Sequence, residues 1–232
     1  MMRIDVLTLF PGIFSGYLSE SIPRIAIDKG AVNVYLHNIR DWSRDKHAKT
    51  DDRPFGGGPG MVMTCQPLDD AVCAVRGMDQ PQGELIFLTP EGERLTQSLA
   101  HELAARPRLL LVCGRYEGFD DRIFSLLQPR RISVGDYVLS GGEIAAITLM
   151  DAVIRLQPGV LGSSDSAAQD SFEGPALDYP HYTQPPVYRG LAVPLVLRSG
   201  NHAQIDAWRS QQAEDRTRSM RPDLIEGNAS LS

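Results

Sequence analysis

"RLLLVCGRYEGFDDR" (108–122) is the stretch on which the fold turns. Residues 108–113 form a nearly unbroken apolar run that stops abruptly at Gly114. A strand buried on both faces reads this way, whereas a strand with one wet face alternates apolar and polar residues. "ELIFLT" (84–89) and "RRISV" (130–134) have the same character, and "RIDVLTLF" (3–10) and "AVNVYLH" (31–37) also read as strands. Helical patterns fall around them at 12–20, 67–76, 94–105, 119–127 and 142–156. Strands alternating with helices predict an α/β fold with a mainly parallel sheet. Ligands of such sheets bind outside the carboxyl ends of the strands. The turn Gly114–Gly118, with Arg115 and Glu117 inside it, is therefore a candidate binding edge.

A second junction, "SVGDYVLSGGE" (133–143), has a similar layout. Gly135 ends a strand, a short apolar loop follows, and Gly141-Gly142 opens the helix 142–156. A loop of apolar side chains with glycines at both ends and no basic residue suits a flat heteroaromatic ligand held by backbone hydrogen bonds. It suits a phosphate less well. In the helix, Ala145, Ile147, Leu149, Met150, Val153 and Ile154 cover too much circumference for a simple surface helix. Either it is deeply buried or it packs against another subunit.

The glycine-rich stretch "DDRPFGGGPGM" (51–61) invites comparison with a phosphate loop. A Walker loop needs a lysine and a hydroxyl residue after its last glycine, but Met61 and Val62 follow Gly60. A dinucleotide fingerprint needs a strand before it and a helix directly after it, and the segment 40–52 before it is charged and loop-like. What remains is a turn needing positive φ, or a bare surface that lets a flat substrate or a second chain approach the backbone.

The 232 residues suffice for one large domain or two smaller ones. The formal net charge of -6 argues against a broad basic surface that grips nucleic acid through phosphates alone. Three widely spaced cysteines, Cys65, Cys73 and Cys113, suggest neither a disulfide framework nor a zinc site. With no signal-peptide pattern and no apolar run long enough to span a bilayer, the expectation is a cytoplasmic protein without a membrane partner. Residues 162–180 are small and polar and read as a linker. Beyond them a helical pattern at 202–219 lies in a locally basic stretch with Arg189, Arg198, Arg209, Arg216, Arg218 and Arg221. The expected organisation is an α/β domain over 1–161, a linker over 162–178 and a small, mostly helical domain over 179–232.

Eight short motifs occur in order: "LFP" (9–11), "DDRPFGGGPGM" (51–61), "LTPEG" (88–92), "CGRYEG" (113–118), "GDYVLSGGE" (135–143), "PGVLG" (158–162), "DSF" (170–172) and "SGNH" (199–202). Together they resemble the bacterial tRNA (guanine-N1-)-methyltransferase family, TrmD, over residues 3 to about 222. The resemblance implies a SPOUT-type α/β domain with a deep trefoil knot on its C-terminal side. It implies a homodimer with a shared active site, S-adenosylmethionine as methyl donor, and guanosine 37 of tRNA as target. Leu88, Thr89, Pro90, Gly114, Arg115, Glu117, Gly118, Val134, Gly135, Asp136, Tyr137, Val138, Leu139, Gly141 and Gly142 would line the donor site. Asp170 would be the general base, Arg155 the partner of guanine O6, and Glu117 a further catalytic group that holds the guanine edge or helps bind a magnesium ion. The residues themselves outline no dedicated metal site. Asp51, Arg53, Gly58, Gly60, His202, Arg209, Arg216 and Arg218 would face the anticodon stem-loop. The chain departs from the family pattern at Ala145, where a proline is common, and at Gln169, where an acidic residue is common. The nearest alternative is another SPOUT-type RNA methyltransferase with a different target nucleotide, against which the glycine-rich stretch and "DSF" both speak.

Overall fold

The computed structural model describes residues 1–162, 170–174 and 176–225. The chain divides into two compact units, Met1–Gly162 and Ser163–Ser232. The first holds a five-stranded sheet built from β1 (Met2–Thr8), β2 (Val32–Asn38), β5 (Glu84–Arg94), β6 (Arg108–Cys113) and β7 (Arg130–Ser133). Every pairing in it is parallel, in the order β2-β1-β6-β5-β7. The mainly parallel sheet expected from the apolar runs is therefore present, with β6 at its centre and all six of its residues buried.

Because successive strand residues point to opposite faces, the sheet feeds two apolar layers. On one face Ile4, Val6, Ile86, Leu109 and Leu111 pack with α2 (Ser21–Asp28), α4 (Gln97–Ala104) and α6 (Gly142–Ile154). On the other face Leu7, Phe87, Leu110 and Val112 pack with α3 (Cys65–Gly77) and α5 (Arg122–Leu127). Each such side chain contributes about 1.5–3 kcal/mol of burial. α6 buries Ala145, Ala146, Leu149, Met150, Val153 and Ile154 against the sheet but leaves Ile144 52% exposed. Most of its girth is thus absorbed within the chain, and a narrower strip stays open.

Several boundaries differ from those the sequence suggests. Residues 11–18 form a 3-10 turn followed by the short α1 (Ser15–Leu18). α2 lies outside the helical patterns of the sequence, and its Pro23 is tolerated because a proline in the first turn lacks only an amide that has no helical partner. β5 continues past Pro90 to Arg94, so α4 starts later, capped by Thr96, whose hydroxyl accepts from the Leu99 amide at 3.2 Å. Ile132 of β7 pairs with both Leu88 and Glu93, which makes residues 89–92 bulge outward from the sheet. Gly92 lies so close to the Ile132 backbone that a Cβ would not fit.

The charged residues flanking the central strands are satisfied from within. Asp5 is fully buried and receives Arg3 Nε at 2.8 Å, Arg108 Nε at 2.9 Å and the His37 ring at 2.8 Å. Arg108, itself buried, also donates to the Val75 and Asp79 carbonyls at 2.6 and 2.7 Å. It thereby ties the C-terminal end of α3, whose last carbonyls lack helical partners, to the sheet. Burial by itself would raise the Asp5 pKa, but hydrogen bonds from His37, Arg3 and Arg108 outweigh it and hold the carboxyl well below the usual carboxylate range.

In the second unit the described residues form a hairpin of β8 (Val187–Tyr188) and β9 (Leu191–Ala192), a 3-10 turn at Leu195–Arg198, and α7 (His202–Met220). Asn201 caps α7 by accepting from the Gln204 amide at 3.3 Å. Thr217, the buried residue of α7, accepts from the Leu177 amide at 2.8 Å. Among the described residues, no helix is long and apolar enough to cross a membrane.

The Asp5 cluster yields a prediction. Breaking a buried charge pair from one side costs about 3–5 kcal/mol, so Asp5→Asn should lose that much at pH 7 in urea unfolding. Because the folded pKa is depressed, the native carboxylate stabilises above the unfolded value of about 3.9 and that share is lost as pH falls through the folded value. The variant should therefore show a shallower acid dependence below about pH 4 than the native chain. A loss under 1 kcal/mol, or an unchanged acid slope, contradicts this account.

Candidate active site

The bulge of β5 and the carboxyl ends of β6 and β7 open into a cleft of about 510 Å³. That is within the usual range for small-molecule sites. One wall is the bulge Leu88–Glu91, a second is the turn Gly114–Phe119, and a third is the segment Ile132–Gly142 without Asp136. Ala145 and Phe124 also line it. Its chemistry is mixed: backbone and apolar groups dominate, with Glu91, Arg115, Glu117 and Asp121 as its charges.

Each wall is fixed by a different local device. The segment 133–140 is folded on itself, with the Tyr137 hydroxyl donating to the Val134 carbonyl at 3.2 Å and the Tyr137 amide to the Gly135 carbonyl at 3.0 Å. It is then pinned to β6, because the Gly142 amide donates to the Gly114 carbonyl at 2.8 Å. A Cβ on Gly142 would stand 2.8 Å from the Cys113 Cα, so only glycine permits this approach. Cys113 is inert here: burial and the nearby Glu143 charge push its thiol well up.

The second wall is sutured to the glycine-rich stretch, which is not a free loop. Asp51–Asp52 (β3) pairs antiparallel with Val62–Met63 (β4), so residues 53–61 are the connection of a small ribbon. Backbone bonds run from the Glu117 amide to the Met61 carbonyl (3.0 Å), from the Met63 amide to the Gly118 carbonyl (2.9 Å) and from the Asp120 amide to the Met63 carbonyl (2.9 Å). Gly56, Gly57, Gly58 and Gly60 all have positive φ. Only Gly60 packs against the cleft wall, where a Cβ would run into the Glu117 side chain; the other three face open space. Gly60 is thus required by close packing on the chain's own Glu117, whereas Gly56, Gly57 and Gly58 leave the backbone of the turn bare.

Of the residues singled out for the donor site, Leu88, Thr89, Pro90, Gly114, Arg115, Glu117, Gly118, Val134, Gly135, Tyr137, Val138, Leu139, Gly141 and Gly142 line this one cleft. Asp136 does not; its carboxylate is exposed and faces Arg94 at 3.9 Å. Glu91, Tyr116, Phe119, Ile132, Ser133, Ser140 and Ala145 line it without having been singled out. Phe119 and Phe124 belong to an aromatic cluster with Phe87, which the apolar run containing Phe87 could have suggested.

A family model described as "tRNA (Guanine-1)-methyltransferase TrmD" matches residues 2–227. Proteins named tRNA (guanine-N(1)-)-methyltransferase are similar along the whole length. That of Thermomicrobium roseum is 51% identical, covering 97% of this chain and 83% of its own. That of Chloroflexus aggregans is 52% identical, covering 97% and 88%. That of Rhodopirellula baltica is 52% identical, covering 97% and 94%. The chain belongs to the TrmD family.

Of the other residues that the TrmD resemblance singled out, Asp51, Arg53, Gly58, Gly60 and Arg155 belong to the first unit without lining the cleft, and Asp170 and those of α7 belong to the second unit. Arg155 follows the last turn of α6, ten residues beyond Ala145, which lines the cleft, so about 15 Å of helix separates the two. Asp170 borders a small hollow in the second unit with Tyr179, Asp206 and Arg209. Gln169 lies outside the described residues. Arg209 sits over the Tyr179 ring at 4.8 Å, and Arg216 donates to the Asp178 carbonyl at 3.3 Å. Arg218 and His202 are exposed on α7. Asp51 and Arg53 flank the ribbon turn. Among the described residues, no group of His, Cys, Asp and Glu could hold a metal ion.

A paired substitution isolates the Gly60 contact. Gly57→Ala and Gly60→Ala each incur the left-handed penalty of about 1–2 kcal/mol, and only Gly60→Ala also collides with Glu117. Gly60→Ala should lower the melting temperature further than Gly57→Ala. Equal losses would show that the ribbon does not lean on the cleft wall.

Proposed function

We propose that this protein transfers a methyl group from S-adenosylmethionine to N1 of guanosine 37 in tRNA, next to the anticodon. The observation that carries the reading is the single cleft at the strand ends, lined by most of the residues that the TrmD motifs mark for the donor. Membership of the family, and relatives whose names state guanine-N1 methylation of tRNA, support the reaction and the class of substrate. The fit of the donor is chemical: glycine-bounded backbone walls and apolar side chains accept an adenine ring, and the acidic side chains Glu91, Glu117 and Asp121 suit a cationic ligand. When bound, S-adenosylmethionine supplies an electrophilic methyl group.

Guanine N1 carries a proton at neutral pH and is a poor nucleophile. Asp170 removes that proton as N1 attacks, contributing the usual 10²–10⁴-fold of a positioned base. Arg155 answers the negative charge that builds on O6. Since about 15 Å of α6 separates Arg155 from the cleft of its own chain, the site is completed across a homodimer, and the exposed strip of α6 at Ile144 suits that interface. The backbone crossing of Gly142 over the end of β6 belongs to the trefoil knot expected of the SPOUT group. Glu117, which lines the cleft, holds the guanine edge. The small α7 unit grips the anticodon stem-loop through Arg209, Arg216 and Arg218, and the target base leaves its stack to reach the cleft.

Labelled S-adenosylmethionine offered to tRNA transcripts tests this reading. Transfer should occur with G at position 37 and not with A, and Asp170→Asn should fall at least about 100-fold in rate. Methylation of the A37 transcript, or full activity in the variant, would overturn it. Sedimentation should find a dimer; a fully active monomer contradicts the shared site.

A further inference from the structure

One charged group beneath the cleft has no part in the reaction above. Glu143 is the second residue of α6 and is fully buried. Its Oε1 accepts from the Thr8 hydroxyl at 2.7 Å, and that hydroxyl in turn accepts from the Phe10 amide at 2.9 Å. Its Oε2 lies 2.8 Å from Arg115 Nε, as an ion pair whose N–H is not aimed at the oxygen. Glu143 does not line the cleft, but Arg115 does.

Arg115 is held on three sides. Besides Glu143, its Nη1 donates to the Ser140 carbonyl at 3.1 Å, and its guanidinium lies 4.6 Å from the centre of the Phe10 ring. It packs so tightly on Gly141 that a Cβ there would run into its Nε. Arg115 therefore props the segment 135–142, which forms one wall of the cleft, and Glu143 fixes Arg115. A fully buried carboxylate costs several kcal/mol in desolvation and is weak as a source of stability. The α6 dipole offsets part of that cost, because Glu143 sits in the first turn.

We infer that Glu143, anchored by Thr8 at the end of β1, is a positioning residue for methyl-donor binding: through Arg115 it sets the wall formed by residues 135–142. This rests on the donor cleft proposed above. It assigns to the donor site a group that never touches the ligand, and it links the donor site to β1, a strand that contributes no lining residue.

The test is calorimetric binding of S-adenosylmethionine to the full-length protein without tRNA, paired with steady-state methyl transfer. Glu143→Gln keeps the shape and removes the charge; donor affinity should fall roughly ten-fold, the scale of coupling within one polar network. The loss should appear in the donor KM, with kcat at saturating donor within about three-fold, the pattern of lost uniform binding. Arg115→Ala should weaken binding similarly, and the double variant should be no weaker than Arg115→Ala alone, because Glu143 acts only through Arg115. Removing both charges should also restore thermal stability relative to Arg115→Ala, which leaves Glu143 buried and unpaired. If Glu143→Gln does not fold, Thr8→Val carries the test, with a smaller rise in donor KM. Native-like affinity in a folded Glu143→Gln or Thr8→Val protein, or losses that add in the double variant, would overturn the inference alone. Failure of the unmodified protein to bind S-adenosylmethionine would overturn the donor cleft and this inference with it.

Discussion

Backbone against backbone is the constraint on which the rest depends. The first residue of α6 touches the last residue of β6, with the Gly142 amide bonded to the Gly114 carbonyl at 2.8 Å. No side chain could stand between them. The contact forces the eight residues between β7 and α6 to double back over the strand ends, which makes one wall of the cleft. It also brings Glu143 beneath the sheet edge, where Thr8 and Arg115 meet it. Were the helix to start one residue later, or the strand to end one residue earlier, the wall, the buried carboxylate and the cleft would all be lost together.

The sheet carries this contact because its charged flanks are tied inward. Asp5 and Arg108 join β1, β6 and the end of α3 at one side of the sheet. Thr8, Glu143 and Arg115 join β1, α6 and the turn after β6 at the other. Two buried polar networks, one joining the middle of β1 to the start of β6 and the other at the carboxyl ends of both strands, flank the apolar layers. Such groups specify one arrangement more than they stabilise it, since each satisfied partner must be in place before burial is tolerable.

Much of this was legible in the residues. Continuous apolar runs ending in glycine identify doubly buried strands, and the cleft sits where parallel sheets bind ligands. What was not legible has physical reasons. β5 runs through Pro90 and Gly92 because a bulge, not a strand end, accommodates them. The ribbon of residues 51–63 is only two residues deep on each side, too short to show alternation. Glu143 is a lone charge among apolar neighbours at a helix start, indistinguishable by pattern from a capping carboxylate on the surface. Asp136 sits between lining residues in sequence, yet points to Arg94 and solvent. Arg155 and Asp170 carry no local signal at all; the roles proposed for them rest on the family resemblance.

The central claim is that one cleft, at the bulge of β5 and the carboxyl ends of β6 and β7, holds the methyl donor. A crystal structure of the protein with S-adenosylhomocysteine tests it most directly. The account predicts the adenosine between the bulge 88–91 and the segment 132–142, with its polar edges on backbone groups and the Arg115–Glu143 pair intact beneath it. Density for the ligand elsewhere, or an adenine ring seated mainly on the α7 unit, would contradict it.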